Sequence, residues 1–294
     1  MTKFLQLLFQ GMSLGAIYAL IALGFVIVFK GSGVFNFAHG DFVMAGAYVV
    51  VVAAASAPYG LAVALALLVL VLLALVVERT VLRPMLGQPL FAVIMVTLGV
   101  SIMVRSVVAM LWGVEERGSS AEPIGRGVVH AGEVALPWVG IWTIGVSVLL
   151  LAALWFFFQK TGYGLALRAT ANSQEAALAQ GIDIRRMFAL SWAIAGVLAV
   201  AAGIFLGAFP RQVTPAMGAT ALAALPAIII GGFDSVPGAV VGGLSVGMIQ
   251  VLGAGYLADV GGGNFHEVLP YLVMLLVLAV RPYGLFGSPD IERV

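Results

Sequence analysis

The sequence contains no cysteine. Disulfides, thiolate nucleophiles and cysteine-based metal sites are therefore excluded. Charge is almost as scarce. Only 9% of the 294 residues are Asp, Glu, Lys or Arg, against about 25% in a soluble domain. So few charges cannot cover a water-facing surface, and lipid must solvate most of the chain. The formal net charge is only +1, with no basic stripe, which argues against nucleic acid as a partner. A Gly-x4-Gly-Lys-[Ser/Thr] phosphate loop is also missing. Lys30 follows Gly24 at a similar spacing, but Gly31 stands where Ser or Thr is needed. Any ATP hydrolysis coupled to this chain would therefore fall to another polypeptide. His130 and His266 belong to no His-Glu-x-x-His cluster, so a zinc protease site is not supported.

What the chain has in abundance is apolar length: 62% of its residues are hydrophobic. A bilayer core about 30 Å thick needs about 20 apolar residues per spanning helix. Spans are expected at 5–29, 37–56, 60–77, 91–112, 138–158, 188–208, 238–255 and 268–280. A further apolar piece at 221–230 is too short to cross comfortably and reads as half of a broken or re-entrant segment. The fold class is therefore an all-α transmembrane bundle of about eight or nine spans, forming one domain over 1–294. Lys3 before an apolar run imitates a signal peptide, but further spans follow, so an uncleaved first helix is expected. The 37 glycines suit close helix packing in lipid.

Basic residues set the orientation. The polar stretch 159–187 carries Lys160, Arg168, Arg185 and Arg186, which places it in the cytoplasm with Lys30, Arg79, Arg83, Arg281 and Arg293. Glu115, Glu116, Glu122, Glu133, Asp259 and Glu267 then fall outside, with a minority of the basic residues: Lys3, Arg117, Arg126 and Arg211. Trp112, Trp138 and Trp142 fit an outer aromatic belt. This counting puts the N-terminus outside.

A faint internal repeat links the two halves. Gly31-Ser-Gly-Val-Phe-Asn36 leads through Gly40 into an Ala/Val/Gly-rich span; Gly231-Gly232-Phe233-Asp234 leads through Gly238 into another. Broken segments repeated in both halves of a transporter tend to mark its pathway. The plainer alternative is that Gly and Asx simply make turns there. Asn36, His39 and Asp41 sit where such a break meets a span. They are either a pathway contact or a mutual cap, in which Asn36 and Asp41 satisfy backbone groups and His39 is their donor. The second is favoured, since broken helices need such partners. Arg105 lies inside a span and requires an interior partner that the sequence does not name.

Within 159–187, Asn172 is placed to cap a short helix whose third residue is Glu175. Gly181 suits an αL stop and Asp183 can cap the next helix. A helix of about two turns is marginal on its own in water, so something must hold it. Ala176, Ala177 and Leu178 offer a small apolar surface, either for a cleft in a partner or for the protein's own membrane domain.

Four ordered motifs carry a resemblance. They are Asn36-Phe-Ala-His-Gly-Asp41, the Gly162-Tyr-Gly-Leu-Ala-Leu-Arg-Ala169 start with Glu175-Ala176-Ala177 and Gly181-Ile-Asp183, Gly231-Gly-Phe-Asp-Ser-Val-Pro-Gly-Ala239, and Arg281-Pro-Tyr-Gly-Leu-Phe-Gly287. Together they resemble LivH-type permease subunits of branched-chain amino acid ABC importers, over nearly the whole chain, a resemblance compatible with branched-chain amino acids, other amino acids, amides, urea or aromatic acids as the solute. The resemblance implies kinship with ribose-type permeases and a bacterial inner-membrane location. It implies a second, LivM-like permease, two cytoplasmic ATPases holding ATP and Mg, and an extracytoplasmic solute-binding protein. It also assigns the ATPase-coupling interface to Arg168, Asn172, Glu175, Ala176, Ala177, Gly181, Asp183, Arg185 and Arg186. Asp41 departs from the family, which usually has Glu there.

Two other classes compete. An ion-coupled secondary transporter needs intramembrane acids or histidines arranged as a relay. An intramembrane hydrolase would rest on Gly243-Leu-Ser245-Val-Gly247, but that pattern needs a strand-turn-helix context and here lies within an apolar run. Helix packing by small residues is the favoured reading of those glycines.

Overall fold

The computed structural model describes residues 2–85, 87–118, 127–208, 212–258 and 264–287. Twelve α-helical elements follow one another: α1 Thr2–Ser32, α2 His39–Ala54, α3 Tyr59–Val77, α4 Leu90–Trp112, α5 Trp138–Lys160, α6 Gly162–Asn172, α7 Gln174–Ala179, α8 Ile184–Leu206, α9 Met217–Ala221, α10 Leu225–Gly231, α11 Val236–Tyr256 and α12 Phe265–Val280. A π turn (Glu78–Leu82) and a 3-10 turn (Arg83–Met85) extend α3. Six of the described helices are long and apolar enough to cross a membrane: α1, α3 with its extension, α4, α5, α8 and α11. The expected eight or nine full spans are thus not all of full length. Residues 37–56, 221–230 and 268–280 fall on shorter helices, His39–Ala54, Met217–Gly231 and Phe265–Val280. The all-α expectation needs one correction. Val128–Ala131 and Val134–Pro137 form an antiparallel hairpin, with Val128 opposite Pro137 and Ala131 opposite Val134. Gly132, at φ 65°, supplies the left-handed turn residue.

Helix α1 is the central post. Its middle, Tyr18 to Val28, is buried on every side, as expected of a helix apolar all round. It packs chiefly on α11 and α8. The α1–α11 contact is backbone to backbone. A Cβ on Gly243 or Gly247 would overlap main-chain atoms of Ala19 or Gly15. Small residues allow this approach and are the usual means of association where lipid removes the hydrophobic drive. The Gly-x-Ser-x-Gly pattern is therefore a packing device, and Ser245 lies in mid-helix rather than at a strand-to-helix elbow. A second close contact joins α2 to α8, where a Cβ on Gly203 would overlap the carbonyl of Val43. Large apolar side chains of α3, α4, α5 and α12, among them Leu68, Met103, Leu149 and Leu276, point outward. A surface of this kind suits acyl chains and not water.

The bundle has two distinguishable ends. At one, Thr2 donates to Glu133 of the hairpin and Lys3 to the carbonyl of Gly255. At the other lie the end of α1, the start of α11 and the α6–α7 segment. Glu122, Arg126, Arg211, Asp259 and Arg293 lie outside the described residues.

Candidate functional site

The first part of the site is built by chain breaks. Helix α1 ends at Ser32, and Gly33, at φ 70°, reverses the chain. Residues 33–38 then run back beside α1, so that α2 starts at the level of Gly24: a Cβ on Gly24 would strike the His39 imidazole. Helix α9 starts at the same point, since a Cβ on Gly40 would overlap the carbonyl of Gly218. Two short helical stretches thus meet N-terminus to N-terminus inside the bundle. Asp41 occupies the first turn of α2, where a carboxylate opposes the positive end of the helix dipole.

Asp41 is 1% exposed. Arg105 of α4 grips it as a fork, Nε to Oδ1 at 2.9 Å and Nη2 to Oδ2 at 3.3 Å, and Ser101 also donates to Oδ2. This identifies the interior partner required by Arg105. It also corrects the expected capping arrangement. Asn36 does satisfy a backbone group at the break, its Oδ1 accepting from Ala38 N at 3.0 Å, though no side chain caps α2 itself. Asp41 instead serves the guanidinium. His39 is not their donor: both ring nitrogens are buried without a hydrogen-bond partner among the described residues. Its ring instead packs edge-on against Phe25, centroids 4.8 Å apart.

The second part lies at the α7 end. Lys30 Nζ donates to the carbonyl of Asp234 at 2.7 Å, and Phe35 packs on Phe233. The two Gly/Asx breaks of the internal repeat therefore touch each other. Gly231 and Gly232 close α10, with Gly232 at φ 106°. The C-terminal motif folds back onto them: Leu285 N donates to Ile230 O at 2.8 Å and Phe286 N to Gly231 O at 3.0 Å. A cavity of about 950 Å³ opens here, and its walls include Phe37, Asn172, Phe233, Asp234 and Tyr283. All four motif-bearing stretches, separated in sequence, contribute to that one wall. A second cavity, about 850 Å³, opens toward the hairpin end between Tyr18, Gln212, Thr214, Gln250, His266 and Glu267.

The short helix of the 159–187 stretch is α7, with one correction in register. Its cap is Ser173, whose Oγ accepts from Ala176 N at 3.2 Å. Asn172 instead ends α6, a helix that the two glycines at its start conceal in the sequence. Thr161 caps α6 by accepting from Gly164 N at 3.0 Å. Gly181 is the αL stop, at φ 77°. Gly181 N donates to Leu178 O and Ile182 N to Ala177 O, a Schellman closure. Asp183 caps α8 through Arg186 N at 3.2 Å and pairs with the Arg186 guanidinium at 3.0 Å. What holds this marginal helix is its two caps and the burial of Ala177. Glu175, Ala176, Leu178, Gly181 and Arg185 all face outward, so the apolar surface is divided between an anchored Ala177 and an exposed Leu178. Arg168 is half-buried on α6, with its Nε unpartnered among the described residues, and lies near Ser191 and Lys30 in a small pocket.

One buried charge is not evident from the sequence. Glu78, in the π turn, takes two hydrogen bonds from Arg83, at 3.0 and 2.9 Å. An acid next to Arg79 and close to Arg83 was the available signal.

Comparison with known proteins agrees with this architecture. Residues 7–278 match the family described as branched-chain amino acid transport system / permease component. The chain is 32% identical to the high-affinity branched-chain amino acid transport system permease protein LivH of Escherichia coli K12, over 99% of this chain and 98% of that one. It is 30% identical to BraD of Pseudomonas aeruginosa, over 99% and 98%. A more distant relative is the ribose import permease protein RbsC of Bacillus subtilis, 29% identical over 44% of this chain and 41% of that one. Among solved structures, a chain of PsaBC from Streptococcus pneumoniae in complex with Fab has the same fold, with TM-score 0.53 and 15% identity over 95% of this chain and 91% of that one. The chain belongs to the branched-chain amino acid permease component family. It is a transport permease and not an enzyme.

Proposed function

We propose that this chain forms one half of the translocation route of an ATP-driven importer for branched-chain amino acids. The names of its full-length relatives support that solute class. In this reading the chain is multi-pass in a bacterial inner membrane. The three shorter helical stretches, α2, α9–α10 and α12, bring the six long helices to nine crossings, with α9–α10 carrying the chain from the hairpin end back to the α7 end as a broken helix. A second, LivM-like permease forms the other half. Two cytoplasmic ATPases bind ATP and Mg and hydrolyse the nucleotide, and a solute-binding protein delivers the cargo at the hairpin end.

The observation that carries the reading is α7. A two-turn helix, capped at both ends and anchored by one buried alanine, projects Glu175 and Leu178 away from the bundle. Two caps and one buried side chain make it a firm projection on which another protein can push. Its neighbours Thr170 to Gln174 also wall the cavity shared with the Gly231–Asp234 break, so a push on α7 reaches that break directly. Asn172, Arg168, Asp183, Arg185 and Arg186 flank the projection and complete the interface. An ion-driven mechanism has less support, because the deep acid, Asp41, is already occupied by Arg105.

Reconstitution with the four partner polypeptides in proteoliposomes tests the reading. Uptake of leucine, isoleucine or valine should require both ATP and the binding protein. Glu175→Lys should lower uptake at least tenfold while nucleotide hydrolysis continues. Uptake that proceeds without ATP under an ion gradient would overturn the proposal.

A further inference from the structure

Arg105 belongs to a span, and its partner Asp41 is almost wholly buried, yet the guanidinium side chain is 40% exposed. An exposed guanidinium facing hydrocarbon is costly, and intramembrane arginines turn instead to a bundle interior or a water-filled cavity. The local geometry says which. A Cβ built on Gly218 would lie 3.4 Å from Arg105 Nη2. Gly218 is flanked by Met217 and Ala219, and both line the cavity that opens toward the hairpin end. Thr220, beside them, is exposed on the same wall. The guanidinium therefore packs against α9 one layer behind Met217 and Ala219, and Arg105 is not itself among the residues that line the cavity.

Its donors are only partly used. Asp41 takes Nε and Nη2, and Nη1 makes no hydrogen bond among the described residues. A guanidinium edge with free donors matches a carboxylate better than any other common anion except phosphate. Glu116 and Glu267 lie on the same cavity and provide acceptors for an ammonium group. The two ends of a zwitterion thus each have a complement. From this we infer that Arg105 is a specificity-determining residue of the transport route, contacting the carboxylate of the passing amino acid while Asp41 holds the guanidinium in place. The inference rests on the proposed import function and names the chemistry of its cargo. His39, buried behind the same helix start, makes no side-chain hydrogen bond among the described residues and plays no part in the contact.

The native chain has no cysteine, so Thr220→Cys gives it a single thiol, placed at this site. In the reconstituted complex, ATP-dependent leucine uptake is measured first, and its absence would count against the import function itself. The introduced thiol is then treated with a membrane-impermeant reagent, with leucine or with leucinamide, which lacks the carboxylate. Leucine should slow the labelling at least threefold and leucinamide should not. Arg105→Lys, which keeps a cation beside Asp41 but removes the fork, should abolish the difference. If that variant fails to assemble, Asp41→Asn with Arg105→Gln removes both charges together and should give the same loss. Equal protection by both compounds, failure of the reagent to reach the introduced thiol, or protection that survives in both variants would each overturn the assignment while leaving the import function standing.

Discussion

Lys30 and Asp234 are 204 positions apart, yet Lys30 Nζ donates to the Asp234 carbonyl at 2.7 Å. This bond ties the end of α1 to the loop before α11, the two places where the chain breaks near the α7 end. A hydrogen bond from a charged donor contributes about 1.5–3 kcal/mol, and the partly exposed setting argues for the lower part of that range. Lys30→Met should therefore lower the thermal midpoint of the detergent-solubilised protein by a few degrees. An unchanged midpoint would mean the bond is not formed in solution.

Breaking the Asp41–Arg105 pair from one side should cost more than removing it. Losing one partner of a buried ion pair costs about 3–5 kcal/mol. With Arg105 at 40% exposure, roughly 2–4 kcal/mol is expected for Asp41→Asn or Arg105→Gln alone. The double variant should recover at least half of the loss. A thermal-stability cycle over the four proteins checks this, and strict additivity of the two single losses would count against coupling.

Asp41→Glu restores the residue usual in the family. One extra methylene must fit where a Cβ on Gly218 would already overlap Asp41 Oδ1. In this chain the change should destabilise by about 1–3 kcal/mol, the ordinary range for overpacking. A gain in stability would show that α9 yields easily.

Glycines at backbone contacts should be sharply less tolerant than glycines in the open. Gly247→Ala would drive a methyl into the backbone of Gly15, whereas a Cβ on Gly99 meets nothing within 4 Å. Gly247→Ala should reduce the yield of folded protein severalfold. Gly99→Ala should equal the parent or exceed it slightly, since alanine favours helix by up to about 1 kcal/mol. Size-exclusion profiles of the two variants decide the matter.

The α7 caps should be separable from the bundle. Ser173→Ala removes a side-chain cap worth about 1 kcal/mol, and Gly181→Ala forces a Cβ into the left-handed region at a cost of about 1 kcal/mol. Both losses should be local. Global unfolding should change little, while hydrogen exchange of the amides at 174–182 speeds up about fivefold, the equivalent of about 1 kcal/mol. Exchange as slow as in the parent would show that other contacts hold the helix.

What was legible in the sequence was whatever is local. The apolar lengths located most of the helices, and Gly181 and Asp183 announced their caps because αL and N-cap chemistry depend on the residue itself. Asn172 and Ser173 are both competent caps, and the choice between them lies in the backbone. Ser173 is extended, at φ −160° and ψ 114°, while Asn172 completes the helix before it. The pairing of Arg105 with Asp41 spans 64 positions, and no periodicity encodes a contact between a span and a helix break. The meeting of four motifs around one cavity was hidden for the same reason. Each motif is a turn with its own local logic, and only the bundle brings the turns together. The short α2 looks like a full span in the sequence because apolar composition does not register that it begins at the level of Gly24, inside the bundle.

The post at the centre of the molecule is made well before its main partner, α11. About two hundred residues separate the end of α1 from the start of α11. At a synthesis rate of roughly 5–20 residues per second, α1 waits about 10–40 s for the glycine face it will lie against. During that interval α5 and α8 can already pack against it, but the face that α11 will cover stays open. Assembly of this protein therefore turns on keeping that open face of α1 from the wrong neighbour until α11 arrives.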